Sequence, residues 1–72
     1  MFENKEQLQN RLEKTGELMV VLESDREYEL HIADTTIGDD GHVKTEGMQD
    51  GEYRKVYFPI SAIEHCYTHL EN

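Results

Sequence analysis

The chain has 72 residues and a single cysteine, so it has room for one hydrophobic core and cannot form an internal disulfide. Sixteen acidic residues against seven basic ones give a net charge of -9, which disfavours binding to phosphate backbones and anionic membranes. The longest apolar run, residues 18–22, is too short for a signal peptide or a membrane span, so we expect one cytoplasmic domain over residues 1–72.

The first predicted element is a helix within residues 1–15. Residues 2–14 are rich in Glu, Gln, Lys, Arg and Leu, and Gly16 stands where a helix would end. Leu8 and Leu12 are four residues apart and form one narrow apolar stripe. We expect this stripe to pack against a sheet, and a dimer contact through the same stripe is the alternative.

Residues 17–70 predict an antiparallel sheet of short strands. The clearest strand alternates strictly, which places Tyr28, Leu30 and Ile32 on one face. Asp-Gly pairs at residues 40–41 and 50–51 predict tight turns. The predicted strands are residues 18–23, 27–32, 42–47, 53–58 and 63–70.

The fold class that these elements predict is α+β. Pro59 lacks an N–H and ends a ladder, so residues 60–62 are expected to form one tight helical turn. The order then becomes an N-terminal helix followed by a strongly curved antiparallel meander of four to five strands, similar to a small barrel. The edges of such a sheet must curl together or pair with a second copy.

The charge balance resembles that of small acidic proteins of the haloarchaeal type. Acidic residues are spread from Glu3 to Glu71, and only four of the seven basic residues are lysine. At molar salt the Debye length falls to about 3 Å, so the repulsion between carboxylates is screened while they keep the surface hydrated. The resemblance implies adaptation to high salt. The alternative is an acidic surface for a basic partner.

Residues 18–68 also resemble Sm-like small barrels. The stretch Val-Tyr-Phe-Pro-Ile-Ser-Ala-Ile at residues 56–63 is similar to that family's fourth strand, tight turn and fifth strand. Proteins of the Sm-like family form rings that bind single-stranded RNA. The chain departs from the family at residues 29–31, Glu-Leu-His, where a glycine normally permits sharp curvature. The family's nucleobase contacts have no clear equivalents, so the resemblance implies topology only.

Two clusters are candidate binding sites. His65, Cys66 and His69 are potential zinc ligands, but on a strand the two histidines would stand about 13 Å apart, and the residue types favour a strand. We therefore expect Cys66 to be a small buried apolar residue. His31 and His42 could complete such a site across strands.

The second cluster combines aromatic rings with cations, as single-strand nucleic-acid binders do. It consists of Tyr53, Arg54, Lys55 and Tyr57. The alternative is a purely structural role, in which these tyrosines pack on cross-strand neighbours and the cations pair with nearby acidic side chains.

The sequence contains no phosphate-binding loop, dinucleotide fingerprint or zinc-finger spacing, so we expect no catalytic residue and no cofactor. A core this small usually needs a further stabilising contact, and we expect self-association. The predicted function is a non-enzymatic interaction or accessory domain that forms a homodimer or higher homo-oligomer. A protein partner is possible, and we expect no association with a membrane. The alternatives are an Sm-like RNA-binding module and a metal-binding protein that uses the C-terminal cluster.

Overall fold

One helix and six strands make up the part of the chain that the computed structural model describes, residues 1–68. The elements are α1 (Lys5–Thr15), β1 (Glu17–Leu22), β2 (Glu27–His31), β3 (Thr35–Ile37), β4 (His42–Gln49), β5 (Glu52–Pro59) and β6 (Ile63–Tyr67). Two short 3-10 turns, Ile32–Asp34 and Ile60–Ala62, join β2 to β3 and β5 to β6. Every strand pair is antiparallel, so the prediction of an α+β fold with an N-terminal helix is confirmed.

Helix α1 begins at Lys5, three residues after the start of the segment 2–14 whose composition predicted a helix. The side chain of Asn4 caps it by accepting a hydrogen bond from the main-chain N–H of Gln7 at 3.0 Å. It ends at Gly16, whose φ of 80° favours glycine and whose N–H donates to the carbonyl of Leu12 at 2.7 Å. Leu8 and Leu12 are fully buried within the chain, so this stripe is occupied and is not free to form a dimer contact.

The strands form two three-stranded sheets. Sheet 1 has the order β2-β1-β6 and sheet 2 has the order β3-β4-β5. The prediction of four to five strands in one small barrel is therefore wrong: residues 1–68 contain six strands and no closed barrel. The strand predicted over residues 27–32 ends at His31, because a 3-10 turn at Ile32–Asp34 separates β2 from β3. Ile32 is exposed there, so the prediction that it shares a face with Tyr28 and Leu30 is wrong.

The hydrophobic core includes residues of α1, both sheets and the second 3-10 turn. Tyr28 packs against its margin and stacks on Phe58, with 5.8 Å between ring centroids. The buried residues of the core are Leu8, Leu12, Leu18, Val20, Leu22, Leu30, Ile37, Val43, Phe58, Ile60 and Ile63.

The hairpin between β4 and β5 follows directly from its turn sequence. Asp50 and Gly51 both have positive φ, 54° and 82°, which is the geometry of a type I′ turn. Asp-Gly is a preferred pair for this turn because Gly has no Cβ and Asp tolerates the left-handed region. The prediction of a turn at this pair is confirmed, and it sets the register of the two longest strands.

Candidate interaction surface

The outer face of sheet 2 is the most exposed apolar surface on the strands. Residues directly opposite one another in an antiparallel ladder lie on the same face. The pairs that point away from the core are Lys44 with Tyr57, Glu46 with Lys55, and Met48 with Tyr53. We call these six residues the tyrosine face.

Three large side chains of the tyrosine face are open to solvent. Met48 is 61% exposed, Tyr53 is 64% exposed and Tyr57 is 63% exposed. Two lysines and one glutamate give this face a formal charge of +1, from two positive charges minus one negative charge. The carboxylate of Asp34 lies close enough to Tyr53 to interact with it electrostatically, so this surface is close to neutral in a chain whose net charge is -9. Exposed aromatic and methionine side chains are typical of surfaces that contact a partner.

One hydrogen bond orients two side chains of the tyrosine face. The hydroxyl of Tyr53 donates to a carboxylate oxygen of Glu46 at 2.5 Å. This bond lowers the pKa of Glu46, because it stabilises the carboxylate, and raises the pKa of Tyr53. The nearby ammonium groups of Lys55 and Lys44 lower the pKa of Glu46 further.

The structure brings together three of the four residues predicted as a nucleic-acid surface. Tyr53, Lys55 and Tyr57 share the tyrosine face, whereas Arg54 lies on the opposite side of β5. Arg54 is half-buried and its guanidinium contacts the carboxylate of Glu52 at 2.7 Å, which raises its pKa. Successive side chains of a strand point to opposite faces, so the sequence alone could have placed Arg54 on the face opposite to Tyr53 and Lys55. Lys44 and Met48 were missed because they belong to another strand.

The predicted C-terminal metal cluster falls partly on β6. The prediction of a strand here is confirmed over Ile63–Tyr67, and His69 lies outside the described residues. His65 is exposed and pairs with Val21. Cys66 pairs with Val20 and packs against the core, but it is half-buried and not fully buried as expected. The two side chains therefore point to opposite faces.

His42 does not extend this cluster. It lies on β4 of sheet 2, whereas His31 lies on β2 of sheet 1. Within residues 1–68, no group of three potential ligands close enough to share an ion contains His42, His65 or Cys66.

The outer face of sheet 1 is acidic and contrasts with the tyrosine face. We call it the acidic face, and its polar residues are Glu17, Glu27, Glu29, His31, His65 and Tyr67. The hydroxyl of Tyr67 hydrogen-bonds to Glu27 across β1, which raises the pKa of Tyr67. Sequence reasoning missed this face because it depends on the register among three strands.

Comparisons of the chain with protein-family models, with curated proteins and with solved structures returned no match. No helix within residues 1–68 has the length and apolar character needed to cross a membrane.

Proposed function

We propose that the chain is a halophile-adapted, cytoplasmic, non-enzymatic interaction domain that self-associates through the outer edge of β5. The observation that supports this proposal is the position of β5 at the margin of sheet 2, where no strand of residues 1–68 pairs with its outer side. β5 has eight residues, and alternate residues along it direct their main-chain polar groups away from β4, which makes this edge a template for another strand. Tyr53 and Tyr57 lie along this edge and are exposed.

Other edges are less suitable for pairing. β3 has three residues and β6 has five, and the pairing of β6 with β1 shifts register between Val21 and Leu22. The outer edge of β2 is partly occupied, because the side chain of Gln49 hydrogen-bonds to the main chain of Glu29. Within residues 1–68, β5 is therefore the longest continuous edge on which a second copy could pair.

The side chains on β5 favour one register for a symmetric dimer. Two copies that pair antiparallel about Val56 place Lys55 of each chain opposite Tyr57 of the other, on the continued tyrosine face. A register centred on Lys55 would place two ammonium groups directly opposite each other, which is destabilising. We expect the dimer axis to pass through Val56.

A charge placed at Tyr57 tests this interface. Tyr57→Lys removes the aromatic partner of Lys55 and creates two symmetric lysine–lysine contacts. At roughly 0.2–1 kcal/mol for each of the two altered pairs, the dimer should weaken by about twofold to thirtyfold. Met48→Lys is the matched control, because Met48 is equally exposed on the same face but lies on the inner strand β4.

Sedimentation velocity over a dilution series in molar KCl gives the dissociation constants of the wild-type chain and of both variants. Weakening by Tyr57→Lys alone supports pairing through the β5 edge. Equal weakening by both substitutions would contradict edge pairing and indicate association through the tyrosine face as a whole.

A second candidate function is binding of single-stranded RNA. The observation in its favour is that Tyr53, Tyr57, Lys44 and Lys55 share one exposed face, where bases could stack beside ammonium groups. Fluorescence anisotropy of a labelled oligouridine in molar KCl tests it. Saturable binding that Tyr53→Ala and Tyr57→Ala both weaken would support this function, and no binding by the assembled protein would exclude it.

A further inference from the structure

Two carboxylates and an imidazole converge on the acidic face. Glu17 of β1 and Glu29 and His31 of β2 each offer one ligand atom, and these atoms all lie within 4.8 Å of one another. The two nitrogens of His31 contact different carboxylates: Nε2 is 3.1 Å from Glu29 and Nδ1 is 3.7 Å from Glu17. This donor set is separate from the predicted C-terminal cluster.

The strand register produces this convergence. Glu17 is directly opposite His31 in the ladder between β1 and β2. Glu29 is two residues before His31 and therefore points to the same face. Neighbouring positions on one face of an antiparallel pair lie within reach of long side chains.

The backbone around the three donors is fixed from both sides. Gly16 precedes Glu17, and its carbonyl accepts a hydrogen bond from the N–H of Ile32 at 3.0 Å. At Glu29, both the main-chain N–H and the carbonyl are hydrogen-bonded to the buried amide of Gln49. The Cα positions of the three donors are therefore held in place, while their partly exposed side chains can turn towards an ion.

From this geometry we propose that Glu17, Glu29 and His31 bind one divalent transition-metal ion. A mixed set of carboxylate oxygens and one imidazole nitrogen suits ions such as Mn²⁺ and Co²⁺ better than Ca²⁺, which prefers oxygen alone. Ligands at about 2.1 Å from an ion stand roughly 3.0–3.5 Å from one another. The site is therefore completed by side-chain rotations that bring both carboxylates to the same ring nitrogen of His31.

Solvent access and charge support the same assignment. The side chains of Glu17, Glu29 and His31 are 37%, 31% and 46% exposed, so water can fill the remaining coordination positions. Two carboxylates balance the charge of a divalent ion. The site is independent of the proposed pairing edge, because it lies on sheet 1 and β5 belongs to sheet 2.

Isothermal titration of chelator-treated protein with Mn²⁺ and with Co²⁺ tests the proposal. Molar KCl screens the general attraction of the acidic surface for cations. We expect one ion per chain, and we expect Glu29→Gln and His31→Gln each to weaken binding by about tenfold or more. His65→Gln is the matched control, since His65 is an exposed histidine on the same face and should leave the affinity unchanged.

Loss of affinity in the control variant, equal affinity in all variants, or no binding of either ion by the wild-type chain would overturn the proposal. A second measurement does not depend on the folding of a variant. Paramagnetic broadening by Mn²⁺ in the wild-type protein should be strongest for the amide signals of Glu17, Glu29 and His31. Strongest broadening elsewhere would contradict the assignment.

Discussion

The side-chain amide of Gln49 and the main chain of Glu29 form a pair of hydrogen bonds that joins the two sheets. The N–H of Glu29 donates to Oε1 of Gln49 at 3.0 Å, and Nε2 of Gln49 donates to the carbonyl of Glu29 at 2.8 Å. Gln49 is buried and ends β4, whereas Glu29 lies in the middle of β2. The amide thus replaces a neighbouring strand at the edge of sheet 1.

Gln49→Leu should destabilise the fold. The leucine keeps the apolar volume but leaves the N–H and carbonyl of Glu29 without these partners, and each unsatisfied group costs roughly 1–3 kcal/mol when buried. We expect a loss of about 1–3 kcal/mol in the free energy of unfolding, since the site is only partly buried. Urea denaturation measures it, and a loss below about 0.5 kcal/mol would show that water replaces the amide without cost.

Gln49→Glu gives the same contact a pH dependence. The carboxylate can accept from the N–H of Glu29 but cannot donate to the carbonyl, and burial raises the pKa of the new carboxyl group. The folded state of the variant therefore holds its proton to a higher pH than the unfolded state does, so the stability deficit relative to wild type grows as the pH rises. A deficit that is constant from pH 3 to pH 8 would contradict the donor role of Nε2.

Leu30 and Ile32 should respond very differently to truncation. Leu30 is fully buried on β2, whereas Ile32 is 40% exposed in the 3-10 turn. Leu30→Ala should cost about 2–5 kcal/mol of unfolding free energy, because it leaves a cavity in the core. Ile32→Ala, the matched control, should cost less than about 1 kcal/mol. Similar losses for both would place Ile32 in the core and would contradict the break between β2 and β3.

The carboxyl pKa of Glu46 should depend on Tyr53. The hydrogen bond from Tyr53 lowers this pKa, so the interaction is present above the ordinary carboxyl pKa and is lost as the pH falls and Glu46 is protonated. Tyr53→Phe should raise the pKa of Glu46 towards its ordinary value. Tyr57→Phe is the matched control and should leave it unchanged. Carbon-detected NMR titration of the carboxyl groups measures the pKa of Glu46 in each variant. A wild-type pKa of Glu46 in both variants would refute the hydrogen bond from Tyr53.

Salt should stabilise the fold by screening. The Debye length falls from about 10 Å at 0.1 M to about 3 Å at 1 M, so repulsion among the excess carboxylates fades over this range. We expect the melting temperature to rise by about 5 °C or more between dilute buffer and molar KCl, and then to level off. A flat profile would contradict adaptation to high salt.

A variant with less charge separates screening from other effects of salt. Glu13, Glu23 and Glu64 are exposed, and replacing all three by Gln reduces the net charge without touching the core. The variant should melt at a higher temperature in dilute buffer and gain less from KCl. An equal gain in both proteins would indicate that the salt acts on apolar burial and not on charge.

The elements with strong local signals are predictable from the sequence. Leu8 and Leu12 define the buried side of α1, and the Asp50–Gly51 pair specifies its turn because few other residues tolerate that backbone. β3 was missed because three residues between a 3-10 turn and a polar loop are too few to show alternation.

The surfaces are less predictable, because they depend on register. Tyr53 and Tyr57 could be placed together from alternation alone, and Met48 lies opposite Tyr53 because the Asp50–Gly51 turn fixes the register of β4 and β5. The convergence of Glu17 on His31 requires the pairing of β1 with β2 across fourteen positions of sequence. A single sequence carries no signal for such contacts unless a turn fixes them.

Self-association is tested by the absolute mass of the protein in molar KCl, measured by multi-angle light scattering. We expect twice the mass of the 8.4 kDa chain, with the dimer lost at lower concentration. A monomer at all concentrations would contradict self-association. A hexamer or heptamer would contradict the symmetric β5 dimer and favour a ring of the Sm-like kind.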